Sequence, residues 1–227
     1  MFFIFFLSLL FLLNCPNYGE KAAPKQSFYD IPFSNGFSAS KYSTQKKQID
    51  TFKNHIYSHY DENIPTYNLI NSIDFTLENK TGDFLLSKQN NKINEYIKGT
   101  GIVHVSTELD NQIINHYYFS PFYCSFPVLM IIIETPKDFK IKGHIKFDEK
   151  LGFIKEDTGC YYSDFLKETV MIMDTTFQSD SGNTYLFLFT SAANIEKTQS
   201  KNENKKICSA QIDKISNFNN PLESFYY

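Results

Sequence analysis

The sequence predicts a mainly β or α+β fold, with antiparallel sheets of about seven to nine strands, sandwich or barrel-like, and one N-terminal amphipathic helix. Three observations carry this. Several segments alternate apolar and polar residues with a period of two. Two runs, 128–133 and 185–189, are apolar throughout, as strands covered on both faces are. Short Asn-, Asp- and Gly-containing breaks separate neighbouring runs, which favours hairpins.

In chain order, residues 16–36 contain Pro16, Pro24 and Pro32 among small and polar residues and read as a tether. Within 43–60, Ile49, Phe52, Ile56 and Tyr60 recur at helical spacing, with Lys46, Lys47, Asp50 and Lys53 on the remaining surface, so the predicted helix falls here and ends before Pro65. Ile73, Phe75 and Leu77 then alternate with Asp74 and Thr76. A short helical turn is expected at 93–97, stopped by Gly99. Val103, Val105, Thr107 and Leu109 alternate with His104, Ser106 and Glu108, and Asp110-Asn111 supplies a turn.

The cleanest alternation is Phe139, Ile141, Gly143, Ile145 and Phe147 against Lys140, Lys142, His144 and Lys146, with apolar groups on one face and cations on the other. Residues 179–183 read as a turn between the runs 170–177 and 184–190, and the Lys- and Asn-rich segment 194–206 as a surface loop.

A net charge of −3 and a pI near 6.0 argue against nucleic acid as a general partner. All 22 cationic side chains are Lys, which removes the bidentate recognition of phosphate and carboxylate that Arg provides. The 23 Phe and 15 Tyr follow A/T-rich codon supply and high strand propensity before they argue for any ligand.

Of the 4 cysteines, Cys15 stands apart from Cys124, Cys160 and Cys208. Those three allow one bridge in an oxidising compartment; Cys124 with Cys160 is the favoured pairing, since it ties two segments of the same β-rich region. Without a CxxC, neither a thioredoxin-like motif nor a zinc ribbon is on offer.

The chemistry-bearing patterns are sparse. His55 and His59 lie one helical turn apart, a metal-ligand spacing, but Ile56 stands where a metalloprotease carries its general base. His104 and His116 fall on adjacent predicted strands; a three-residue loop at 109–111 sets them opposite each other as a metal or proton site, and a two-residue loop does not. Asp180-Ser181-Gly182 resembles the nucleophile loop of chymotrypsin-like proteases over three residues only, lacking the second Gly and the His segment. Asn79-Lys80-Thr81 is a glycosylation sequon. The basic surface Lys140, Lys142, His144 and Lys146 is the sharpest candidate, suited to a protein or an anionic glycan. These residues converge on no metal and no cofactor, and no catalytic residue is assigned.

The first 13 residues are almost unbroken Phe, Leu and Ile. That length fits the apolar region of a signal peptide, whereas a membrane span needs ~20 apolar residues. With Leu12-Leu13-Asn14-Cys15 the segment resembles bacterial lipoproteins carrying the relaxed lipobox of spirochaetes. Asn14 replaces the more common Gly, Ala or Ser, and no Lys precedes the apolar run. The resemblance covers about fifteen residues and implies that Cys15 is acylated and becomes the N-terminus. It implies a signal peptide at 1–14, a lipidated Cys and tether at 15–36, a single β-rich domain at 37–227, and attachment to a bacterial membrane, the outer membrane or surface. The function expected is that of an envelope lipoprotein presenting a binding or structural domain. An exported enzyme with dispersed catalytic residues, and a secreted, unanchored protein of an A/T-rich eukaryote, are the alternatives.

Overall fold

The computed structural model describes residues 30–54, 67–98, 100–193 and 199–216. Among them are fourteen strands: β1 (Asp30–Ser34), β2 (Ser38–Ser43), β3 (Gln48–Asn54), β4 (Asn68–Asn79), β5 (Gly82–Leu85), β6 (Asn91–Ile97), β7 (Ile102–Leu109), β8 (Gln112–Phe119), β9 (Val128–Thr135), β10 (Lys140–Phe147), β11 (Phe153–Asp157), β12 (Cys160–Ser163), β13 (Glu168–Gln178) and β14 (Asn183–Ala193). One helix, α1 (Lys201–Ser216), follows. All strand pairs are antiparallel. The smaller sheet runs β1-β2-β3-β4-β10, with β5 against β4, and the larger runs β11-β12-β13-β14-β9-β8-β7-β6.

The two sheets face each other as a sandwich. Ile49, Phe52, Ile70, Ile73, Phe75 and Leu77 of the smaller sheet meet Val105, Ile114, Leu129, Ile131, Phe187 and Phe189 of the larger. The continuously apolar runs occupy β9 and β14 at the middle of the larger sheet. Leu129, Ile131 and Ile133 enter the intersheet core, while Val128, Met130 and Ile132 point the other way into a second core with Leu186, Leu188, Cys124 and Ile215 of α1. Helix α1 packs on β13 and β14.

Several expectations are corrected. The helix predicted within 43–60 is, over its described part, the turn after β2 and then strand β3. Tyr42 pairs with Ile49 and Lys41 with Thr51, so Asp50 is an extra, bulged residue. The bulge lets Ile49 and Phe52, three apart, both face the core, and it imitates helical spacing. Residues 93–97 are strand β6 rather than a helical turn.

Among the described residues the α-helix is C-terminal and begins inside the segment expected to be a loop. Its start carries a capping box, in which Ser200 Oγ accepts from Glu203 N (3.3 Å) and Glu203 Oε2 accepts from Ser200 N (2.7 Å). Ile31 and Phe33 of β1, within the stretch read as a tether, are core residues. Pro32 between them is tolerated because β1 is an edge strand.

Two turns depend on left-handed backbone angles. Asp110 and Asn111 both adopt positive φ (51° and 59°) in a two-residue hairpin. At Gly159 (φ +68°), a Cβ would stand 2.1 Å from the Ile172 carbonyl oxygen, while Ile172 N donates to Gly159 O (2.7 Å). We expect Gly159→Ala to destabilise the protein by about 2–4 kcal/mol, read as a lower urea midpoint with an unchanged slope; a midpoint equal to wild type would contradict this close approach.

Candidate functional site

The sandwich is stitched along one side and open along the other. On the stitched side Asn35 Nδ2 donates to the carbonyls of Pro121 (3.3 Å), Cys124 (3.2 Å) and Phe126 (3.0 Å). Ser38 Oγ both donates to Val128 O (3.0 Å) and accepts from Val128 N (3.2 Å), and Tyr96 Oη donates to Pro32 O. On the other side the smaller sheet stops at β10, which is paired only with β4, while the larger sheet continues past β14 through β13, β12 and β11.

A cleft of about 360 Å³ lies in this seam. Its floor and walls are apolar or aromatic: Phe75, Ile141, Ile145, Tyr161, Ile172 and Phe187, with Gly143 at the centre of β10. Lys142, Thr158, Asp174 and Thr176 supply its polar groups.

Two latches bound the cleft. At one end the Phe147 ring packs on Phe153 and Tyr161, with centroids 4.8 and 4.6 Å apart. At the other, Phe139 O accepts from Tyr185 Oη (2.7 Å) and Asn183 Nδ2 (3.2 Å). Gly143 keeps the middle open: a Cβ there would lie 3.6 Å from Phe75 and 3.9 Å from Phe187, ordinary contact on the cleft side.

The residues Lys140, Lys142, His144 and Lys146 stand on the outer face of β10, at the lip of this seam. In register across β4 they meet Glu78, Thr76, Asp74 and Ser72. His144 Nε2 bonds Thr76 Oγ1 (2.8 Å) and Lys146 pairs with Glu149 (3.4 Å). A shallow groove runs between the two rows.

The histidine pair is not assembled. The two-residue turn sets His104 opposite Tyr117 and His116 opposite Val105, so the imidazoles point to opposite faces. His104 stacks outside on Tyr117 (5.0 Å, 12°) and reaches Asn115 Oδ1 (3.3 Å). His116 is in the intersheet core, its Nδ1 3.1 Å from Tyr118 Oη. Burial, with a smaller contribution from His104, pushes its pKa down to about 3.

His55, His59 and Cys15 lie outside the described residues. Among the described residues no group of three His, Cys, Asp or Glu side chains is placed to hold a metal ion. Cys124, Cys160 and Cys208 are buried free thiols. The expected Cys124–Cys160 bridge is not formed: Cys160 is on β12 and Cys124 precedes β9, and β13 and β14 lie between those two strands. Burial raises the Cys124 thiol to about 11 and also raises Cys160 and Cys208.

One buried cluster escaped the sequence reading. At the end of the core Asn54 Nδ2 donates to Glu168 Oε1 (2.8 Å) and to Ser191 Oγ (3.0 Å), joining β3 to β13 and β14. Glu168 is fully buried and its Oε2 has no partner among the described residues. Burial outweighs the hydrogen bonds and raises its pKa to about 7. The only sequence signal was a Glu preceding an apolar strand, which is indistinguishable from a surface Glu.

The chain matches no family model and no curated protein. Among solved structures it has a likeness to a chain described as "Putative kojibiose phosphorylase from human microbiome", with a TM-score of 0.43 and 12% identity, covering 83% of this chain and 30% of that chain. A likeness at that level assigns neither family nor activity.

Because Glu168 holds its proton more tightly folded (about 7) than unfolded (4.5), its contribution is fully present below pH ~4.5 and is lost as pH rises through ~7. Full ionisation costs about 3 kcal/mol, so Glu168→Gln should raise Tm relative to wild type at pH 8 and lose that advantage by pH 4.5. A Tm difference independent of pH would contradict the raised pKa. His116 acts oppositely: its lowered pKa gives stability that is present above pH ~6.5 and lost as pH falls towards 3.

Proposed function

We propose that this is an exported envelope lipoprotein, held to a bacterial membrane through acylated Cys15, that presents its β-sandwich as a binding domain and takes its ligand in the seam beside β10. The observation that carries the binding role is the cleft itself. An aromatic-floored slot opens at a sheet edge, with Lys142 at its lip and Asp174 and Thr176 among its inner polar groups. Ligand sites are built this way, from apolar walls and a few polar groups that fix orientation. The lysines and His144 on the outer face of β10 favour an anionic partner.

The lipobox-like segment before Cys15 supports the anchor. Acylation at the mature N-terminus would add about 0.8 kcal/mol of membrane affinity per buried methylene, enough with two or three chains for stable attachment.

Intact mass of the mature N-terminal peptide from a native membrane fraction tests the anchor. A diacyl- or triacyl-modified Cys15, lost in Cys15→Ala, is expected; an unmodified N-terminus beyond Cys15 would replace anchoring with free secretion.

For the seam, the anionic apolar dye 1-anilinonaphthalene-8-sulfonate should bind the native protein saturably. Gly143→Val, which narrows the middle of the cleft without backbone strain, should weaken it at least tenfold while leaving thermal unfolding unchanged. Equal dye binding by both proteins would rule the seam out.

A further inference from the structure

Sheet widths in the sandwich do not match. The smaller sheet ends at β10, and Gly143 and Phe75 of its last two strands stand over Phe187 of β14. Beyond that line the larger sheet has three more strands, which smaller-sheet residues meet only towards the ends, through Phe147 on Phe153 and Tyr161 and through Asn54 on Glu168. The inner-face residues left there are Ile172, Asp174 and Thr176 of β13 and Tyr161 of β12, and these are the residues lining the seam. The gap has the place and the shape of one missing strand. Its length between the Phe139 and Phe147 latches is about seven residues, or ~23 Å at the rise of an extended chain.

From this we infer that the seam is a strand-addition site: an extended polypeptide segment, apolar on one face and acidic on the other, pairs with the free edge of β10 and completes the smaller sheet. The inference rests on the reading of the seam as the binding site and specifies its occupant. An unpaired edge strand offers a row of backbone donors and acceptors, and these supply affinity in strand addition while side-chain pockets supply selectivity.

A strand docked on β10 alternates its side chains. One set points into the slot against Tyr161, Ile172 and Phe187, where apolar groups are accommodated and Asp174 and Thr176 tolerate a hydroxyl or amine. The other set lies beside Lys140, Lys142, His144 and Lys146. Neither Lys140 nor Lys142 has an ion-pair partner among the described residues. Cross-strand neighbours of opposite charge stabilise pairing, and like charges oppose it. The same rule disfavours a second copy of this chain, since β10 against β10 sets two lysine rows side by side.

The test uses a fluorescein-labelled nonapeptide of alternating valine and glutamate, read by anisotropy. Amide hydrogen exchange locates the contact on the full folded protein. Binding that is saturable, that slows exchange within 140–146, and that weakens at least tenfold in Lys140→Glu/Lys142→Glu and in Gly143→Val supports strand addition. Methylating alternate backbone nitrogens of the peptide should abolish it, because the donors are then gone.

Undiminished binding of the methylated peptide, or protection appearing on β1, β6 or β11 instead, overturns the proposal. Failure of the peptide while the anilinonaphthalene dye still binds and is still excluded by Gly143→Val overturns strand addition and leaves a small-ligand seam. Failure of both removes the seam as a site. The charge-reversed positions are outside the core, so the double variant keeps its fold; matching thermal unfolding of wild type and variant verifies this.

Discussion

The organisation of the molecule depends on burying both faces of β9 and β14. Their side chains are apolar at every inward and outward position from 128 to 133 and from 185 to 189, so neither face can meet water. One face demands a second sheet and the other a helix and a loop; the smaller sheet, α1 and the 120–127 segment meet those demands. Fully buried Phe, Leu and Ile side chains each contribute about 1.5–3 kcal/mol relative to exposure, and the two central strands concentrate that contribution. The seam lies beside β14, where Tyr185 and Phe187 keep a small exposure.

The two sides of the sandwich differ for a chemical reason. The stitched side uses Asn35 and Ser38, short polar side chains that satisfy backbone groups of the 120–128 segment. The open side uses aromatic rings and one Tyr hydroxyl at two separated points, with Gly143 between them. A side chain at position 143 would narrow the gap, and a Cβ fits there at ordinary contact distance. The polar end of the core is held by Asn54, Glu168 and Ser191, and the cost of ionising Glu168 makes that end lose stability as pH rises through about 7.

Local rules made much of the fold legible. The alternation in 73–77, 103–109 and 139–147, the uninterrupted runs and the Asp110-Asn111 turn each correspond to elements in place, because a period of two needs no information from distant residues. Misreadings have local causes as well. The bulge at Asp50 shifted the apolar spacing of β3 towards that of a helix, Pro32 made an edge strand resemble a tether, and the Ser200–Glu203 capping box was outvoted by the polar residues around it. The candidate site was half legible. Its basic lip follows from alternation on one strand, but the slot depends on β10 pairing with β4, more than sixty residues away, and on the larger sheet extending past it. Likewise the His104–His116 geometry turned on one residue of loop length, and the Cys124–Cys160 pairing on strand order, neither of which spacing encodes.

The claim at the centre of this account is that the β10 edge is unoccupied while the middle of the larger sheet is sealed. Native-state amide hydrogen exchange, resolved by residue, tests it most directly. The account predicts that amides of β9 and β14 exchange only through global unfolding, and that those amides of β10 directed away from β4 exchange orders of magnitude faster, through local opening. Protection along both edges of β10 equal to that of β9 would show the slot already filled by the chain's own backbone, and would contradict the open seam on which the binding role depends.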